Sequence, residues 1–179
     1  MSHTRWLDDE EQQTWRSFLA ATRLFFHAVE RQLQEESGLP HAYYEILVRL
    51  SEAPGHQLRM SELARSAVSS RSRLSHAVAR LQDAGLVRRR ACTSDRRGQL
   101  AELTEAGMAR LREAAPGHVE TVRSLLFDQL TPEQVRVLRE ICDAIITNLL
   151  DKPRWPYCPP EMGTHQQSGP HADNGAGSP

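Results

Sequence analysis

Arg88-Arg89-Arg90-Ala91-Cys92-Thr93-Ser94-Asp95-Arg96-Arg97-Gly98-Gln99-Leu100-Ala101-Glu102-Leu103 is the stretch that decides how this chain is read. Val87 to Arg90 and Leu100 to Leu103 are strand-compatible, and Thr93 to Gly98 supplies a polar tip between them. Immediately upstream, a helix is expected from Ser69 or Ser70 to Asp83, stopped by Ala84-Gly85. A shorter helix precedes it, with Ser61 placed as its N-cap ahead of Glu62-Leu63-Ala64-Arg65. A helix pair followed by a basic hairpin is the outline of a winged helix, and it points to duplex DNA.

Charge supports that reading through its distribution. The chain of 179 residues has a formal net charge of only −1, yet Gly55 to Leu103 holds ten arginines against four acids. A basic middle between acidic ends fits a localised phosphate-binding face. On a helical wheel, Leu74, Ala77, Val78 and Leu81 share one side of the Ser70–Asp83 helix and must face the core. Ser72, His76 and Ala79 lie nearly opposite, flanked by Arg73, Arg80 and Ser75, so the outer face is short, hydrogen-bonding and basic. Such a face suits a major groove, with Ser69, Ser70, Arg71, Ser72 and Arg73 entering first. Arg88, Arg89 and Arg90 alternate sides of a strand, so at least one is expected on backbone phosphate and another on the far side. Arg96 or Arg97 at the tip can enter a minor groove, and Asp95 is expected to brace an arginine rather than face phosphate.

Outside this unit, helices dominate. Leu7 to Glu35 carries Trp15, Phe18, Leu19, Phe25, Phe26, Val29 and Leu33 at helical spacing, and Gly38-Leu39-Pro40 ends it. A second helix is expected over His41–Glu52, then a turn at Ala53–His56 and a short strand at Gln57–Arg59. Thr104-Glu105-Ala106-Gly107 opens a long helix to about Leu126, in which Pro116-Gly117 predicts a kink or break. Thr131-Pro132-Glu133-Gln134 is a capping signal for a last helix with Val135, Leu138, Ile141, Ile145 and Leu149 on one stripe. From Asp151 onward Pro, Gly, Ser and His prevail, and a disordered tail is expected. The terminal stripes are hard to bury in one small monomer, which favours a two-fold dimer.

Met60-Ser61-Glu62-Leu63-Ala64, Leu81-Gln82-Asp83-Ala84-Gly85-Leu86-Val87-Arg88-Arg89, Asp95-Arg96-Arg97-Gly98 and Leu103-Thr104-Glu105-Ala106-Gly107 together resemble the MarR family of winged-helix transcriptional regulators. The aspartate-x-arginine of that family's wing corresponds to Asp95 and Arg97. The resemblance implies a mainly α (α+β) fold in three parts. These are an N-terminal dimerisation helix (1–38), a winged helix-turn-helix (39–103) and C-terminal dimerisation helices (104–150), with the expected disordered tail (151–179) outside the resemblance. It implies a homodimer on a palindromic operator, acting as a ligand-responsive repressor, with DNA contacts drawn from Ser69, Ser70, Arg71, Ser72, Arg73, Ser75, His76, Arg80, Arg88, Arg90, Asp95, Arg96 and Arg97. A small aromatic or phenolic effector would fall near Trp15, Phe18, Phe26, Tyr43, Tyr44 and His118. The competing reading is a winged-helix module that contacts protein without an operator.

Other chemistry finds little support. No H-E-x-x-H, Walker loop, G-x-S-x-G or dinucleotide fingerprint is present, so no enzyme and no cofactor are expected. Cys92, Cys142 and Cys158 form no C-x-x-C, which argues against structural zinc and suits a reducing compartment. Cys92 in the wing could alter DNA contact on oxidation, while Cys142 fits a packed helix position. The absence of an apolar leader and of any span-length apolar run leads to the expectation of a soluble, cytoplasmic protein without a membrane partner.

Overall fold

The computed structural model describes residues 4–66, 71–92 and 95–150, and of Arg71 and Asp95 to Arg97 the backbone path alone. Ser69, Ser70, Thr93, Ser94 and residues 151–179, on which the expected helix start, wing tip and tail fall, lie outside the described residues. Helix α1 (Asp9–Ser37) begins one step later than its acidic run suggests, because Asp8 is its cap. The Asp8 carboxylate accepts from the Glu11 backbone N–H at 2.8 Å, and the Glu11 carboxylate accepts from the Asp8 N–H at 3.0 Å. Gly38 closes the helix in a left-handed turn, its N–H bonded to the Gln34 carbonyl.

Helix α2 (His41–Glu52) has the predicted bounds and buries Tyr44, Ile46, Leu47 and Leu50. A 3-10 turn at Pro54–His56 leads into β1 (Gln57–Arg59), and α3 (Met60–Ser66) follows without a break. Ser61 therefore lies inside α3 rather than capping it. The Glu62 carboxylate instead accepts from the Arg59 backbone N–H at 3.2 Å. Helix α4 (Arg71–Asp83) directs Leu74, Val78 and Leu81 into the core beside Leu33, Leu47, Leu50 and Leu63.

Strands β2 (Val87–Cys92) and β3 (Asp95–Leu103) are longer than the apolar pattern suggests. Asp95 to Gly98 belong to β3 and not to a loop, since Ala91 pairs with Gln99 and, past a bulge, Cys92 with Asp95. The sheet order is β1-β3-β2, all antiparallel, with Leu58 opposite Ala101 and Ala101 opposite Arg89. Alternation puts Val87, Arg89, Ala101 and Leu103 toward the helices and Arg88, Arg90 and Glu102 on the outer face.

The turn after α4 and the start of α5 (Glu105–Leu125) form one joint. Gly85 turns the chain with φ +73°, a left-handed conformation that suits glycine. The Thr104 hydroxyl caps α5 by accepting from the Gly107 N–H at 3.0 Å, and it donates toward the Gly85 and Leu86 carbonyls at 2.8 and 3.0 Å. A Cβ on Gly107 would lie 2.1 Å from the Leu86 carbonyl oxygen, so the helix and the turn meet backbone to backbone.

Contrary to the expected break, α5 continues through Pro116 as one helix. Proline removes a single hydrogen bond there, and packing of α5 along α1 supports the helix on both sides of it. After a 3-10 turn at Phe127–Gln129 comes α6 (Pro132–Leu150). The Thr131–Gln134 box is present, with Gln134 N–H to Thr131 Oγ1 at 3.2 Å and Thr131 N–H to Gln134 Oε1 at 2.9 Å. No residue of α6 is buried within the chain. Cys142, expected in a packed position, is exposed there, since no other described part of the chain buries α6.

Candidate nucleic-acid interface

The apolar side of α4 locks its opposite side outward. Ser72, Arg73, His76 and Arg80 are exposed along one solvent face, as the wheel predicted. Ser75 differs. It is half-buried, and the Arg89 guanidinium of β2 donates through Nη2 to its carbonyl oxygen at 2.7 Å, with its Oγ at 3.4 Å. Arg88 and Arg90 occupy the outer face of the sheet and share one carboxylate. Glu102 accepts from Arg88 Nε at 2.9 Å and lies 3.2 Å from Arg90 Nε. The Arg88 hydrogen bond and charge hold the Glu102 carboxyl below its ordinary range, and Glu102 raises Arg88 in turn. Two of the three wing-base arginines are thus paired on the outer face and the third is turned inward. Arg71, Asp95, Arg96 and Arg97 are placed by backbone alone, the last three along the far end of β3.

Five of the six residues expected around an effector fall into two groups, and Tyr43 joins neither. Trp15 and Phe18 stack on one another at 6.1 Å and are half-exposed on α1. Trp15 lines an open recess of about 550 Å³ with Trp6, Leu7, Gln12 and Arg16. Phe26 lies eleven residues further along α1, about 16 Å away at 1.5 Å per residue. It meets the His41 ring at 5.8 Å, His41 meets His118 at 6.3 Å, and His118 meets Tyr44 at 4.5 Å. This second cluster joins α1, α2 and α5. Burial, then the nearby His41, lowers the His118 pKa, and burial, then Glu52, raises that of Tyr44. His118 Nδ1 is buried without a hydrogen-bond partner. One residue away, the Glu36 and Gln32 side chains of α1 lie over the bare Gly117 backbone of α5. Tyr43 packs half-buried against the core, and His27 is exposed.

Arg89 is the residue that sequence reasoning left without a role. The strand alternation contained the signal, since with Val87 inward Arg89 must face inward too. Cys92 is buried, which removes the exposure a thiol switch requires. Among the described residues, no group of three His, Cys, Asp or Glu is placed to hold a metal ion, and no helix is long and apolar enough to cross a membrane.

The sequence pattern of the MarR family matches residues 37–98, from the end of α1 into β3. The fold is similar to the solved structure of Sco3205, a MarR family transcriptional regulator from Streptomyces coelicolor in complex with DNA. The TM-score is 0.83 and the identity 49%, over 88% of this chain and 99% of that one. The chain belongs to the MarR family. A second MarR family regulator from the same organism, AbsC, is 46% identical with a TM-score of 0.79, over 83% of this chain and 100% of that one. Similarity also extends to the HTH-type transcriptional repressor YetL of Bacillus subtilis (strain 168), at 33% identity over 106 residues. That match spans 59% of this chain and 64% of the repressor's length. The family pattern leaves α1 except its last residue, together with α5 and α6, outside its match.

Proposed function

We propose that this chain is a DNA-binding transcriptional regulator that acts as a homodimer, with α4 in a major groove and the β2–β3 wing in the neighbouring minor groove. The observation that carries the reading is the outward Ser72–Arg73–His76–Arg80 face of α4, held beside an arginine-bearing hairpin. The DNA present with Sco3205 supports it. Ser69, Ser70 and Arg71 at the entry to α4, and Arg96 and Arg97 in the wing, complete the contact set by position in the sequence. Arg88 and Arg90 take a lesser part, as their charges are shared with Glu102. Similarity to the transcriptional repressor YetL favours repression by promoter occupancy.

The dimer reading rests on the apolar stripe of α6, where Val137, Ile141 and Ile145 are each more than 40% exposed, and on Trp6, Trp15 and Phe18 of the N-terminal arm. An aromatic effector is assigned to the Phe26–His41–Tyr44–His118 cluster rather than to Trp15 and Phe18, because only the former joins the arms to the winged helix. A footprint on DNA from the gene's own upstream region, at two salt concentrations, tests the proposal. A protected palindrome with steeply salt-dependent affinity is expected. Absence of any protected fragment in a genome-wide selection would turn the assignment to a protein-binding winged helix.

A further inference from the structure

We infer that Arg89 is a positioning residue that sets the angle between the recognition helix and the wing, and that operator preference depends on it. Helix α4 and strand β2 are joined covalently only at the far end of α4, through the Ala84–Leu86 turn. From that corner, Ser75 lies eight residues back along the helix from Asp83, about 12 Å. Arg89 lies two residues along the strand from Val87, about 7 Å. The hydrogen bond from Arg89 Nη2 to the Ser75 carbonyl closes this triangle at 2.7 Å. A corner with two arms can open and shut; a closed triangle has one angle.

Two features mark the contact as more than packing. The guanidinium donates to a main-chain carbonyl, so what it holds is the helix backbone itself and not a rotatable side chain. It does so while Nε remains buried with no partner, a desolvation cost that an apolar residue of similar length would not carry. The inner face of the sheet, otherwise Val87, Ala101 and Leu103, could accept such a residue. Ser75 lies in the first half of α4, the half proposed to reach base edges, and β2 continues past Arg89 toward the wing tip. Groove and wing contacts form together only if these two elements keep one relation.

The inference rests on the DNA-binding reading, and the test separates the two. Arg89→Met and Arg89→Lys are compared with the unaltered full-length protein by thermal unfolding, by backbone deuterium uptake, and by titration of operator and scrambled duplexes across salt concentrations. For Arg89→Met we expect an unfolding temperature equal to or above that of the parent and faster exchange in the first half of α4. Operator affinity is expected to fall by about tenfold or more, the scale of one charge-assisted hydrogen bond. Affinity for scrambled duplex, and the salt slope, are expected to stay unchanged. Arg89→Lys, which keeps one cationic donor, is expected to recover much of the operator preference.

Unchanged exchange together with unchanged operator preference would overturn the inference. So would an equal loss on both duplexes with a salt slope reduced by about one, the mark of a direct phosphate contact. A loss that merely tracks a lowered unfolding temperature would reduce Arg89 to a structural part, and overturn it as well. If the parent itself shows no preference between duplexes, the regulator reading fails, and the exchange comparison alone decides whether Arg89 braces the helix.

Discussion

Gly107 is where the α5 backbone lies against the Leu86 carbonyl, and any side chain there must push them apart. Gly107→Ala is expected to lower stability by about 2–3 kcal/mol, the scale of overpacking against a rigid neighbour. Chemical denaturation with an unchanged slope would register it as loss of stability rather than loss of compactness. His118 makes the opposite kind of demand, on charge. Burial depresses its pKa, so the unfolded chain binds its proton more readily than the folded one does. Stability is therefore fully present above the ordinary histidine range and is lost as pH falls through it. Unfolding temperatures measured between about pH 7.5 and pH 5 should decline for the parent and decline less for His118→Gln. Equal slopes would show that other groups govern the acid limb.

At the scale of elements, what the sequence reveals depends on how local the signal is. The bounds of α2, the Thr104 cap and the Thr131–Gln134 box are short-range patterns, and they are legible without any partner. The reach of β3 is not, because Asp95-Arg96-Arg97-Gly98 has turn-like composition and becomes strand only by pairing with β2. Ser61 failed as a cap for a related reason: a carboxylate one residue on serves the strand's last N–H instead. Of the candidate contacts, the outward face of α4 was legible from periodicity, whereas the sharing of Glu102 by Arg88 and Arg90 required the cross-strand register. That sharing makes a prediction for the wing. Arg97→Ala is expected to reduce the salt slope of operator binding by about one, and Arg88→Ala to leave it unchanged. A reduction for Arg88→Ala would mean that DNA draws it off Glu102.

For the molecule as a whole, the unburied stripe on α6 is a demand that the described residues of the single chain leave unmet. Ile141→Glu is expected to weaken self-association by at least about a hundredfold, since a carboxylate would be buried there without a partner, at a cost on the order of 3 kcal/mol. Sedimentation over a concentration series would detect it, and an unchanged dimer would move the interface elsewhere. Helical spacing reads Cys142 as packed but cannot say against what, and within one chain it is exposed, as the sequence led one to expect for the stripe beside it.

The joint of Thr104 and Gly107 with the turn after α4 has a mechanical meaning. Helix α5, 21 residues long, is a rod of about 31 Å fixed at one end to the base of the recognition helix. Pivoting about that end, a swing of about 6° carries the other end through about 3 Å. Run in reverse, a shift of one side chain's width at the His118 cluster, partway along the rod, is delivered to the base of α4 as a rotation. In the proposed dimer, a wedge at that cluster would change how far apart the two recognition helices stand, with α5 as the stiff lever that carries its thickness.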